Sequence, residues 1–150
     1  MDGQKSEPDS ARALALAVEL RVLFGKVSRR LREQAHPGDF TSAQKSVLLR
    51  LERDGPATVT TLARAESVRP QSLGATVAAL QSAGLVAGTP DPADGRQTIL
   101  SLTDTCREMI RISRAAKEDW LFRMIQSKLT SGEQEELSAA VELLKRLFDS

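Results

Sequence analysis

The sequence predicts a mainly α-helical fold carrying one small β-hairpin. Three observations lead there. Apolar residues recur at three- and four-residue spacing over most of the chain, the period of a helix face and not of a strand. Thr41 with Gln44 and Thr130 with Glu133 each place a hydroxyl three residues before an amide or carboxylate, the reciprocal arrangement that closes a helix start. Only between Leu85 and Leu102 do two short runs of Val, Ile, Thr and Leu flank a segment of turn formers, as a hairpin requires.

Residues 1 to 9 are polar and include Pro8, and a frayed tail is expected there. From Ser10, Leu16, Leu20, Phe24, Val27 and Leu31 line one face of a long helix that Pro37 and Gly38 end near Ala35. The second helix follows Thr41 and buries Val47, Leu48 and Leu51; Gly55 and Pro56 break it. Thr58 then caps a helix of about two turns with Val59, Leu62 and Ala63 inside.

Ala65 to Arg69 is expected to be a tight connection, and Pro70 stands where a first helical residue has no amide bond to lose. In the helix it opens, Leu73, Val77 and Leu80 face inward, which turns Gln71, Ala75, Ala78 and Ser82 outward. Gly84 supplies the left-handed stop. After the hairpin Leu85–Thr89 and Thr98–Leu102, Thr103 opens a long helix through Met109, Ile112, Ala116, Trp120 and Met124. A last helix buries Leu137, Val141, Leu144 and Phe148. No βαβ pattern is present.

A chain of 150 residues, 41% apolar and 27% charged, suffices for one domain with its own core. No run of about 18 apolar residues exists for a membrane span. The N-terminal segment, with Asp2, Lys5, Glu7 and Asp9, is no secretory leader, and the lone Cys106 has no partner for a disulfide within the chain. A cytoplasmic protein is therefore expected. The net charge of +1 gives no bulk argument for a nucleic-acid partner. One Trp, four Phe and no Tyr remove the stacking platform of single-strand and RNA binders, so any nucleic acid bound would be duplex DNA.

With one histidine, His36, neither a three-histidine metal site nor a histidine-based triad can form in one chain. No cofactor, metal or catalytic residue is expected. Glu133, Glu135 and Glu136 sit in the first turn of a helix, where their charge suits the dipole. Cys106 stands in a first turn too, where the dipole can lower a thiol pKa; it is either a redox sensor or a small core residue.

Two helices joined by a short turn, the second starting with polar side chains, match the helix-turn-helix logic for entering a major groove. The hairpin after them, with an arginine at its tip, adds a wing that can reach the adjacent minor groove. In that context Leu62-Ala63, Val68, Pro70, Leu80, Gly84-Leu85-Val86 and Asp91-Pro92-Ala93-Asp94-Gly95-Arg96 resemble the MarR family of bacterial regulators over about Ser10 to Phe148. The resemblance implies a single domain over 1–150. A winged-helix lobe would occupy about 41–102, and dimerisation helices about 10–36 and 103–150. The chain departs from the family at Ser67, often Gly; at Arg69, often Ser; and at Ala75, often basic.

Arg69 can grip guanine or a phosphate, or instead pair with Glu66. Gln71 and Ser72 can contact bases or be ordinary first-turn residues; Thr76 and Ala75 can meet a thymine methyl. Arg96 suits a narrow minor groove, and Asp94 has the wrong sign for DNA and is expected to support the wing. Thr58 and Thr60 can offer hydroxyls and free amides to phosphate, although Thr58 can equally be only a cap; Arg64 is a further phosphate candidate.

The outer helices carry wider apolar stripes than a lobe of about 80 residues needs, and Trp120, Phe122, Leu144, Leu147 and Phe148 are candidates for a homodimer surface. The resemblance implies a two-fold repressor on a pseudo-palindromic operator, released by a small molecule, with Arg30, His36 and Trp120 suggested as lining. The rival reading is a helical interaction module whose winged helix does not read DNA.

Overall fold

A computed structural model describes residues 6–35 and 40–149. The chain runs α1 (Glu7–Gln34), α2 (Ser42–Asp54), β1 (Ala57–Thr58), α3 (Val59–Glu66), α4 (Pro70–Ser82), β2 (Val86–Pro90), β3 (Thr98–Leu102), α5 (Asp104–Lys128) and α6 (Ser131–Phe148). The boundaries follow from local chemistry. Both capping boxes are formed, Thr41 with Gln44 and Thr130 with Glu133, and the backbone N–H of Thr130 holds the Glu133 carboxyl below its ordinary pKa. Gly84 has φ 75° and ends α4.

The chain divides into two compact units, Met1–Ala35 with Ala115–Ser150, and His36–Arg114. The second holds the buried core: Val47, Leu48 and Leu51 of α2, Leu62 and Ala63 of α3, Leu73, Val77 and Leu80 of α4, Leu85, Val86, Leu100 and Leu102 of the hairpin, and Cys106 of α5. Each fully buried Leu or Val contributes about 1.5–3 kcal/mol from removal of its surface from water. The expected inner faces of α2, α3 and α4 are thus all present, with Val59 only half-buried.

The hairpin β2–β3 is antiparallel, with Val86 opposite Leu102 and Pro90 opposite Thr98. A third strand goes beyond the sequence expectation. Ala57 and Thr58, just before α3, pair antiparallel with Leu100 and Ile99, giving the sheet order β1-β3-β2. Two residues are too few for a periodic signal, and the neighbouring Gly55 and Pro56 read only as a break.

Four further expectations are corrected. Of the expected tail, residues 1–5 lie outside the described residues, and Glu7 to Asp9 are helical: α1 starts at Glu7 and takes Pro8 into its first turn, where a missing amide costs nothing. The connection before α4 shrinks to Ser67–Arg69 because α3 continues to Glu66. Leu137, Val141 and Phe148 are exposed and Leu144 is half-buried, so α6 buries none of its residues within the chain. Likewise Leu16 and Phe24 of α1 and Ile112 of α5 are exposed, while Leu20, Val27, Leu31, Met109, Ala116, Trp120 and Met124 are half-buried. Phe148 does touch Phe24, edge to face at 6.0 Å between ring centroids, inside the same chain.

Candidate nucleic-acid interface

The segment from Thr58 to Thr76 is built around one turn. Thr58 is extended, and its hydroxyl accepts the N–H of Thr61 at 3.2 Å, which caps α3. At the other end Ser67 adopts the left-handed conformation, φ 55° and ψ 40°, uncommon for any residue with a Cβ. The N–H groups of Ser67 and Val68 donate to the carbonyls of Arg64 and Ala63 at 3.3 and 3.0 Å, so these two carbonyls near the end of α3 are satisfied within the turn.

Arg69 then takes the cap position of α4 in extended conformation, with its side chain making no cap bond. The first-turn amides of α4 therefore have neither an intrahelical acceptor nor a side-chain cap, the condition that makes a helix start receptive to an anion. Arg69, Gln71, Ser72 and Ala75 are exposed on the side of α4 opposite the buried Leu73, Val77 and Leu80. Thr76 is half-buried and donates its hydroxyl to the Ser72 carbonyl at 3.4 Å. Thr60 and Arg64 are exposed and Thr58 is half-buried.

Beyond β2 the hairpin tip is organised by two aspartates. Asp91 Oδ1 accepts the N–H of Ala93 at 2.9 Å, and Asp94 Oδ1 accepts that of Arg96 at 3.1 Å. The Asp91 N–H donates to the Gln97 carbonyl, and the Gln97 N–H to the Asp94 carbonyl. Both carboxylates are thereby used on tip backbone, a frame that leaves the Arg96 side chain exposed.

Among the described residues, Arg64, Arg69 and Arg96 make no ion pair. The alternative partner for Arg69 is overturned, because Glu66 bonds elsewhere. Its carboxylate accepts from the Nε of Arg50 and, at 2.6 Å, from the Ser46 hydroxyl. These bonds hold Glu66 below the ordinary glutamate pKa, the Arg50 bond being the stronger cause. Sequence reasoning misses Arg50 and Ser46 because they lie 16 and 20 positions from Glu66.

Cys106 is buried, and burial pushes its thiol pKa up, opposing what a helix start alone would do. That environment fits the core alternative. His36 lies outside the described residues. Arg30 is exposed and Trp120 half-buried. Among the described residues no cluster of three metal-ligating side chains occurs, and no helix is long and apolar enough to cross a membrane.

The sequence model of the MarR family matches residues 39–97, the stretch from before α2 to the hairpin tip. A Mycobacterium tuberculosis protein named as an HTH-type transcriptional regulator is 33% identical over 134 residues, covering 89% of this chain and 93% of the relative. A crystal structure of a candidate transcriptional regulator from Pseudomonas aeruginosa is 34% identical with a TM-score of 0.78, covering 93% of this chain and 97% of that one. The Escherichia coli MarR protein in its apo form is 25% identical with a TM-score of 0.65, over 89% and 96% of the two chains.

Proposed function

The chain belongs to the MarR family, and on that premise we propose that it is a sequence-specific, double-stranded-DNA-binding transcriptional repressor acting as a homodimer. One observation carries the DNA-reading part. The outward side of α4 and the hairpin tip present Arg69, Gln71, Ser72 and Arg96, and among the described residues no acidic partner engages the two guanidinium groups. An exposed arginine at a helix start suits a guanine edge or phosphate, and an arginine on a wing suits the minor groove.

In this reading α4 enters the major groove. Gln71 and Ser72 contact base edges, Ala75 and Thr76 meet thymine methyl groups, and Arg64, Thr58 and Thr60 meet phosphate. Asp94 holds the wing backbone. Regions 10–36 and 103–150 act as dimerisation helices and about 41–102 as the reading lobe of one functional domain.

Support for the dimer comes from the unit that contains α1 and α6. Leu14, Leu147 and Phe148 there are 68%, 66% and 67% exposed, an apolar surface that a second copy would cover. Two-fold symmetry would set the α4 helices about 34 Å apart and demand an inverted repeat in the DNA. Release by a small molecule requires that the ligand favour a spacing that does not fit the repeat. A cytoplasmic protein without cofactor or catalytic activity completes the reading.

Selection from random duplexes by the purified protein tests it. Recovery of an inverted repeat is expected; enrichment of no motif would overturn DNA reading in favour of an interaction module.

A further inference from the structure

We propose that Arg50, Glu66 and Ser46 form a positioning node that fixes how the start of α4 is presented, so that the three residues set DNA affinity without touching DNA. The inference rests on the DNA-reading function proposed above. Glu66 is the last residue of α3, and its side chain is 15% exposed, the most covered partner in any ion pair among the described residues. It accepts from Arg50 and Ser46, both on α2. Arg50 reaches Asp54 as well, at 3.5 Å. Most of the other bridges join near neighbours on one helix, whereas this one ties the end of one helix to the middle of another.

The turn just after Glu66 gives the tie its purpose. Ser67 is the only described non-glycine residue at positive φ, and an L-residue held there is strained. Fraying of the last turn of α3 would relieve that strain and let Val68 and Arg69 wander. The node opposes the fraying at the residue where it would begin. Arg69 stands three positions from Glu66, at the cap of α4. The apolar core around Leu73, Val77 and Leu80 fixes how deeply α4 sits, but packing of that kind tolerates a small tilt. The bonds to Glu66 are directional and fix the end that bears the reading residues.

Charge and position predict opposite results, which makes the node testable. Removing the negative charge of Glu66 should tighten binding to a polyanion if electrostatics alone counted. Removing a positioning group should weaken it. Arg50, engaged by Glu66 and Asp54, is not available to phosphate, so its loss should leave the salt dependence of binding unchanged.

The experiment uses the full chain, a duplex obtained by selection, and the variants Glu66→Gln, Arg50→Gln, their combination, and the milder Ser46→Ala. Each of the first two should weaken binding about tenfold, and the double variant should lose about the same and not the product, because the pair acts as a unit. Ser46→Ala should lose roughly threefold. Amide hydrogen exchange at Ser67 and Val68, whose N–H groups are bonded to the last turns of α3, should accelerate in every variant while that of Leu80 does not. Unchanged or tighter binding by Glu66→Gln would overturn the node. So would a salt slope lowered by about one in Arg50→Gln, which marks a direct phosphate contact. If the unaltered protein retards no duplex, the DNA-reading proposal fails instead. Exchange then still decides the node: acceleration supports it as the tie that fixes the turn, and unchanged exchange sinks it.

Discussion

A Cβ placed on Gly88 would stand 2.6 Å from Cγ2 of Thr98 across the hairpin, closer than two carbons tolerate. The amide of Gln81, near the end of α4, lies 3.3 Å from the same point. Glycine at this position lets the strand pass beneath both side chains, so its absence of a side chain is a packing requirement and not a conformational one. Gly88→Ala should therefore lower stability by about 1–3 kcal/mol, read as a lower urea midpoint. Adding Thr98→Ser, which deletes the obstructing methyl, should recover part of the loss; no recovery would show that another contact is responsible.

DNA affinity should respond differently to the two exposed arginines. Arg69→Ala is expected to cost about 1–3 kcal/mol at one base pair and to relax the preference there. If Arg69 meets phosphate instead, all sequences weaken alike. Arg96→Ala should weaken sites with narrow flanking A·T tracts most. Competition titrations with single-base variants of the selected site separate these outcomes.

The thiol of Cys106 should be inert in the native protein. It is 1% exposed, and its raised pKa keeps it protonated near neutral pH. Intact-mass measurement after treatment with iodoacetamide should show no adduct until denaturant is added, and peroxide should leave DNA binding unchanged. Rapid native alkylation would refute this account.

Glu66 sets an acid-side dependence of stability. Its folded pKa lies below the ordinary value, so the unfolded chain binds the proton more readily. The stabilisation is complete above the ordinary glutamate pKa, about 4.3, and disappears as pH falls through the depressed folded value. Urea unfolding should find Glu66→Gln less stable than the unaltered chain at pH 7, with the gap narrowing as pH falls below the ordinary glutamate value. A gap of constant size across that range would mean that Glu66 acts through shape alone.

Self-association is expected through the apolar surface of α1 and α6. Leu147→Asp would place a charge among Leu143, Phe148 and their counterparts in a second copy, all exposed within one chain. Sedimentation should report a dimer for the unaltered protein and a shift towards monomer for the variant. A monomeric unaltered protein at micromolar concentration would end the dimer reading.

Much of this architecture is legible in the sequence because it rests on signals a few residues long. The caps at Thr41 and Thr130, Pro70 at the head of α4 and the left-handed Gly84 act through adjacent backbone groups. Residues from Val47 to Leu80 reveal their buried faces through a period that needs no knowledge of the partner surface. Periodicity identifies an apolar face but not what covers it, and for that reason it points Leu137, Val141 and Phe148 to an interior that one chain does not supply. Contacts between distant segments leave no trace: the pairing of Ala57 with Leu100, and the bonds to Glu66 from Ser46 and Arg50. The exposed positions Arg69, Gln71, Ser72 and Ala75 are legible as residues outside the buried stripe, yet the fate of Arg69 turns on where Glu66 points, which is a tertiary matter.

Because β3 is paired on both sides, the two residues of β1 act as an alignment check on the wing. The segment Asp91–Gln97 that joins β2 to β3 is long enough to permit alternative alignments, so turn geometry by itself does not fix which residues face one another. A slip of one residue would carry Leu100 and Leu102 from the interior to water, and it would break the match of Leu100 with Ala57 in the same movement. Misalignment is thereby penalised twice, once by each neighbouring strand, and the tip that carries Arg96 keeps a single address relative to α3.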